Sequence, residues 1–198
     1  MSVYALALSA SHEFTKTPVP QLNLLTGLGI EGDCHLGATV QHRSRLHITP
    51  PPANLRQVHL IPKEILDARD LAPGQIGENV TTVGIDLLAL GRGTKLHFLP
   101  TPTTTPNSDN NDNESDNNAD LQTPHAVVVI QGLRNPCPQI DRFRPGLKET
   151  FVVRDGERRI VGRTAGVMGT VEVGGEVRVG MRVVVEEAEG GFEALECV

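Results

Sequence analysis

Val167-Met168-Gly169-Thr170-Val171-Glu172-Val173, the pair Gly174-Gly175, Glu176-Val177-Arg178-Val179 and Met181-Arg182-Val183-Val184-Val185-Glu186 decide the fold class. Valines recur at a spacing of two, and a glycine pair parts the first run from the second. Strands half-buried on one face and joined by a tight turn read this way, so the stretch predicts a meander of β-strands. Similar runs lie upstream: Val3 to Ser9, Gln57-Val58-His59-Leu60-Ile61, Thr94-Lys95-Leu96-His97-Phe98 and Ala126-Val127-Val128-Val129-Ile130. Helical signals are short. Pro62 ahead of Lys63 to Arg69 suits the first position of a helix. Gln139 to Phe143 predicts one helical turn, and Gly146 to Val153 another before the turn at Asp155-Gly156. Many short strands with two or three small helices make a closed β-barrel or closed sandwich the economical architecture. The expected class is therefore mainly β, a closed barrel with a few short helices.

Composition agrees. The chain of 198 residues has no Trp, one Tyr, 20 Gly and 14 Pro, which favours strands and turns over long helices. That length predicts one domain spanning 1–198 with a substantial core. No apolar run of about 18 residues exists, so no membrane span is expected. Met1 to Ala10 is apolar but lacks the basic flank of a signal peptide. Cys34, Cys137 and Cys197 form neither a CxxC pair nor a disulfide framework. Reduced thiols and a cytoplasmic location are the expectation.

The formal charge of −6 is concentrated in one place. Asp109, Asp112, Glu114, Asp116 and Asp120 lie in a tract without Lys or Arg; setting them aside leaves eighteen basic and nineteen acidic residues. Such a body has no broad footprint for nucleic acid, which needs clustered positive charge. A small anionic ligand needs only a few local arginines. The surrounding segment 101–124, rich in Thr, Pro, Asn and Asp, has one sizeable apolar side chain, Leu121, and cannot offset its ordering entropy by burial. It reads as a disordered loop inserted within one domain, because both flanks look like strands of the same fold.

Chemistry concentrates around Cys137, in Gly132-Leu133-Arg134-Asn135-Pro136-Cys137-Pro138-Gln139. Two prolines stiffen its support, each biasing the preceding residue toward extended geometry. Arg134, three residues upstream, can supply the positive charge that favours a thiolate, the form that binds soft metals or attacks sulfur. A buried structural cysteine is the plain alternative. Two other glycine-bearing stretches precede it. Gly29-Ile30-Glu31-Gly32-Asp33-Cys34-His35-Leu36-Gly37 suits a tight loop presenting polar groups at a rim. Pro73-Gly74-Gln75-Ile76-Gly77-Glu78-Asn79 leads from a glycine turn into a β-branched run.

Taken in order, Gly32-Asp33 with His35 and Gly37, Arg56-Gln57-Val58, Pro73-Gly74 with Gly77-Glu78-Asn79, Leu88-Ala89-Leu90-Gly91 and Arg134-Asn135-Pro136-Cys137 resemble the MOSC domain. This module ends molybdenum cofactor sulfurases and also occurs in stand-alone relatives. Ala165-Gly166-Val167-Met168-Gly169 and Gly174-Gly175 extend the resemblance over nearly the whole chain outside 101–124. It implies a β-barrel that binds a molybdenum (or tungsten) pterin cofactor, with Cys137 as metal ligand or sulfur carrier. Some relatives reduce N-hydroxylated substrates with electrons from a partner reductase. Pyridoxal phosphate is linked to the family through a separate fused desulfurase domain, and is not expected to be bound by this chain. Two departures stand out: Cys34 where the family has a small residue, and Gly180-Met181 where it has Gly-Asp.

On this reading Cys137, His35 and Asp33 are the catalytic candidates, and Cys137 is also the metal ligand. Arg56, Glu78, Asn79, Arg134 and Asn135 are the cofactor-binding candidates. Arg56 and Arg134 suit a phosphate through the guanidinium fork. His35 suits a proton shuttle or a phosphate donor, or simply braces its loop. Asp33 either caps local amides or orients His35. Glu78 and Asn79 either pair with pterin nitrogens or cap a strand edge. Gln41-His42-Arg43-Ser44-Arg45 reads as a solvated loop or as an electropositive lip. His12, His47 and His97 carry no zinc-ligand spacing, so zinc is not expected. Cys197 reads as an exposed terminal thiol. Three functions remain open: a molybdenum-dependent oxidoreductase acting on a small molecule, a sulfur carrier charged as a Cys137 persulfide by a cysteine desulfurase, and a non-catalytic cofactor-binding or insertion protein.

Overall fold

The computed structural model describes residues 1–42, 45–101 and 123–198. Arg43 and Ser44 of the expected lip, and 102–122 of the expected disordered loop, lie outside them. The strands are β1 (Ser2–Leu8), β2 (Thr17–Val19), β3 (Gln21–Leu25), β4 (Gly29–Ile30), β5 (Val58–Pro62), β6 (Val80–Val83), β7 (Lys95–Leu99), β8 (Ala126–Leu133), β9 (Val152–Arg154), β10 (Ile160–Arg163), β11 (Val167–Val173), β12 (Gly175–Arg178) and β13 (Arg182–Glu186). Seven of them close in the order β13-β7-β8-β11-β5-β6-β1, with β1 meeting β13 again at Ser2 and Arg182. Closure removes the exposed edges that an open sheet would present. The β5–β6 pair is parallel and the other barrel pairs are antiparallel. The fold is thus the mainly β closed barrel the sequence predicts. Among the described residues no helix is long and apolar enough to cross a membrane.

Alternation along each strand sends Val58 and Leu60 of β5, Val128 and Ile130 of β8, and Val167 and Val171 of β11 into one buried core with Leu96, Phe98 and Val183. The barrel is filled with hydrocarbon, so a ligand must bind outside its wall. Ile61 faces the other way, into a second cluster with Leu66, Ile76, Ile140, Leu147, Phe151 and Ala165. This outer layer is built on the short helices Lys63–Asp67, Pro138–Phe143 and Leu147–Thr150.

The expected meander does not form. β11 pairs with β8 and β5, β12 with β3, and β13 with β7 and β1. A two-residue type I′ hairpin needs left-handed φ at both central residues, and Gly174 does not adopt it. Gly174 instead permits close passage over β3. Its amide donates to Thr26 Oγ1 at 2.8 Å, and a Cβ there would stand 2.8 Å from the Leu24 carbonyl oxygen. Two further differences are local. Pro62 ends β5 and caps the following helix rather than starting it. The helix expected over Gly146 to Val153 stops at Thr150, and Val152 already belongs to a strand. At Gly180-Met181, Met181 Sδ accepts the Arg178 amide at 3.4 Å and closes the turn.

Candidate functional site

β5 and β11 run antiparallel with Met168 opposite His59, and Met168 also stands opposite Gly132 of β8. In each strand the neighbouring residues point into the barrel, so His59 and Met168 point out of it. Loops around them raise the walls of an open hollow. Phe14 and Lys16 come from the β1–β2 connection, His35 and His42 from the glycine-rich loop, Arg56 from the approach to β5, and Arg134 and Cys137 from the segment after β8. The hollow itself is small, about 70 Å³, and opens to solvent at its mouth.

Cys137 owes its position to its prolines. Its backbone is extended, with φ −93° and ψ 163°, as a residue before proline prefers, and it caps the helix that Pro138 begins. Its carbonyl accepts the Ile140 amide at 3.1 Å. The side chain is half-buried, touching the outer apolar cluster while lining the hollow. Arg134 extends from the end of β8, its amide donating to the Gly166 carbonyl at 2.9 Å. Only 7% of the residue is exposed, and its Nη1 is buried without a hydrogen-bond partner among the described residues. Burial pulls the Arg134 guanidinium below its ordinary value, while Cys137 and Glu78 act the other way. Burial, then Arg134 and Arg45, bring Arg56 down to about 10, against which the Cys137 and Cys197 sulfurs act. Two desolvated cations thus line the same hollow as Cys137. A buried guanidinium N–H group without an acceptor is costly unless a ligand completes it.

Behind the hollow, Lys16 Nζ donates to Asp33 Oδ2 at 2.5 Å, with side chains 3% and 1% exposed. Asp33 Oδ2 also accepts Asn79 Nδ2 at 2.9 Å. Its Oδ1 meets His35 Nδ1 at 3.1 Å and the His35 amide at 3.0 Å. Asp33 therefore does both things foreseen for it, capping a local amide and orienting His35. A carboxylate can only accept, so Nδ1 carries the His35 proton and leaves Nε2 as the acceptor. Burial works against the Asp33 charge, but the hydrogen bond from His35 and the Lys16 ammonium outweigh it and hold the carboxyl well below the usual range. Burial lowers Lys16 from its ordinary value, and Asp33 offsets this only in part. The Cys34 thiol, 3.2 Å from His35 Nδ1, is pushed up to about 11 by burial and the Asp33 charge.

Several candidates serve the walls. Glu78 is fully buried, and its carboxylate accepts the Gly74 amide at 2.5 Å and the Ile76 amide at 3.3 Å, tying the glycine turn together. Asn79 lines the hollow, yet its amide group is engaged with the His59 amide, the Ala7 carbonyl and Asp33. Asn135 is exposed and accepts from Arg163 Nε at 3.0 Å. Of the lip, His42 reaches the hollow, where burial and then Arg56 bring it down to about 4. Cys197 is exposed but tethered, for its neighbours Glu196 and Val198 hydrogen-bond Leu133 at the end of β8.

Lys16 and His59 escape a reading of motifs. Lys16 lies between two strands in a stretch without glycine spacing. His59 sits in a strand with apolar residues on both sides, and only its outward parity marks it. Its Nε2 donates to the Ala165 carbonyl at 2.8 Å, while burial, then Arg134, hold the ring well below its ordinary value and hence neutral.

No family model and no curated protein matches the chain by sequence. Solved structures match its fold. The YuaD protein from Bacillus subtilis superposes with a TM-score of 0.67 at 21% identity, covering 95% of this chain and 96% of that one. YiiM from Escherichia coli gives 0.54 at 16% identity over 98% of this chain and 73% of its own, and YiiM from Geobacillus stearothermophilus 0.57 at 15% over 98% and 77%. At such identities the likeness is one of fold.

Proposed function

We propose that this chain is a MOSC-type protein that binds a molybdenum–pterin cofactor through Cys137 and reduces a small N-hydroxylated substrate. The fold likeness to YuaD and YiiM supports a MOSC-like architecture, and the ordered motifs lead to the same family. One observation carries the ligand reading: the unpartnered, buried Arg134 Nη1 lies beside a half-exposed thiol in one open hollow. These residues fit such a group, because a soft sulfur ligand and two desolvated guanidinium groups match a thiophilic metal on an anionic carrier. When bound, the metal centre would supply the two-electron step that removes the substrate oxygen.

The chain's own part is to bind and to manage protons. Arg134 and Arg56 hold the anionic end, and the apolar cluster behind Cys137 keeps water from one side of its sulfur. His35, held by Asp33, presents Nε2 as a proton acceptor, and neutral His59 adds no competing charge to the floor. Electrons come from a partner reductase, since no flavin, haem or iron–sulfur motif is present in the sequence.

The test is metal and pterin analysis of protein made in a host that synthesises the cofactor. Wild type is expected to retain about one molybdenum per chain and Cys137→Ala almost none, with reduction of a hydroxylamine-type substrate lost in parallel. Metal-free protein that remains fully active sinks the reading. If Cys137 instead gains about 32 Da from a cysteine desulfurase, and no metal is retained, the sulfur-carrier function replaces it.

A further inference from the structure

Asp33, Cys34 and His35 bring three different donor atoms together at the edge of the hollow, within 4.8 Å of one another. Sulfur and imidazole Nδ1 are 3.2 Å apart, Nδ1 and carboxylate Oδ1 3.1 Å, and sulfur and Oδ1 3.8 Å. With zinc bonds of about 2.3 Å to sulfur, 2.05 Å to nitrogen and 2.0 Å to oxygen, the edges of a tetrahedral site come to about 3.3–3.6 Å. Each observed edge lies within a few tenths of an ångström of that triangle. We propose that Asp33, Cys34 and His35 form a three-ligand site for a thiophilic divalent cation such as Zn²⁺, separate from Cys137.

A second feature prepares the triangle for a metal. Lys16 and Asn79 hold Oδ2 of Asp33 from behind, which fixes the carboxylate plane and turns Oδ1, which also accepts the His35 amide, toward the other two donors. Outer hydrogen bonds of this kind orient metal ligands. Cys34 releases its proton to water, the His35 proton moves from Nδ1 to Nε2, and the dication meets one thiolate and one carboxylate; with the Lys16 ammonium that already pairs with Asp33, the loaded cluster carries a net charge of +1. A fourth position stays open for water, the arrangement of a catalytic or regulatory zinc rather than a closed structural one. The His35 nitrogen left outside the triangle changes from acceptor to donor, so cation binding would block the proton-accepting role assigned above.

The test uses the full chain freed of metal and titrated with Co²⁺, a spectroscopic substitute for zinc, and separately with Zn²⁺. A thiolate-to-cobalt band in the near ultraviolet that saturates at one equivalent and disappears on adding Zn²⁺ is expected. Cys137→Ala should keep the band. Cys34→Ala, a substitution toward the small residue of the family pattern, should abolish it, with circular dichroism reporting whether the fold is kept. Should Cys34→Ala unfold, Cys34→Ser with Zn²⁺ counted by mass spectrometry under native conditions serves instead, with at least a tenfold weaker affinity expected. No band in wild type, or a band lost in Cys137→Ala but kept in Cys34→Ala, overturns the proposal. These outcomes do not depend on molybdenum loading.

Discussion

Asp33→Asn is expected to lower the unfolding free energy by about 3–5 kcal/mol, the usual effect of leaving one member of a buried ion pair without its partner. The ammonium of Lys16, 3% exposed, would remain buried without its hydrogen-bonded anion. Urea denaturation near neutral pH measures this, and a loss below about 1 kcal/mol would show that the pair is not charged in the fold. Replacing both, as Lys16→Met with Asp33→Asn, should recover part of the loss because no orphaned charge remains. The acid limb provides an independent readout. The folded-state carboxyl lies below its ordinary 3.8, so its stabilising contribution is complete above that value and is lost as pH falls through the folded value. Wild type should therefore lose stability progressively below about pH 4. The Asn variant should lack this part of the acid dependence.

Gly166→Ala is expected to be the most disruptive of the glycine substitutions. Gly166 has φ +94°, and a Cβ there would stand 2.3 Å from the Leu60 carbonyl oxygen and 2.9 Å from His59 Nε2. β5 is buried along its whole length and cannot retreat. Left-handed strain and the clash add, for a loss on the order of 4 kcal/mol or more. Gly146→Ala is the internal control: it has a similar φ of +80° but nothing within 4 Å, so only the backbone cost of about 1–2 kcal/mol applies. Equal denaturation midpoints for the two variants would contradict the close approach. Because Gly166 also receives the Arg134 amide, its substitution should disturb the hollow before it unfolds the barrel.

The contrast between Gly174 and Gly166 shows how much of this molecule could be read in one dimension. Strand content, the short helices and the stiff mount of Cys137 follow from local rules, since β-branched alternation and proline act within a few residues. Pairing partners do not. Gly174-Gly175 looks like a hairpin turn, but the contact that uses it comes from Leu24 and Thr26, about 150 positions away in sequence. The site divides in the same way. Arg134 and His35 lie in glycine- or proline-marked loops, where polar residues stand out against their neighbours. Lys16 is recognisable only through Asp33, and His59 only through Met168 on the adjacent strand. Glu78 sits in a motif as conspicuous as any, yet its carboxylate faces backbone amides, a difference decided by the path of the turn.

β7 and β8 are neighbours, with Phe98 opposite Ala126, so the long segment between them leaves and re-enters the barrel through adjacent positions about 5 Å apart. β8 then runs eight residues before delivering Arg134, which places that doorway roughly 23 Å along the strand from the end that bears Arg134. Lengthening such a connection costs only about 0.6 kcal/mol per doubling. A reporter domain or affinity peptide spliced into this connection would ride on the far end of the barrel, giving a handle for immobilising the protein with its hollow left open to solvent.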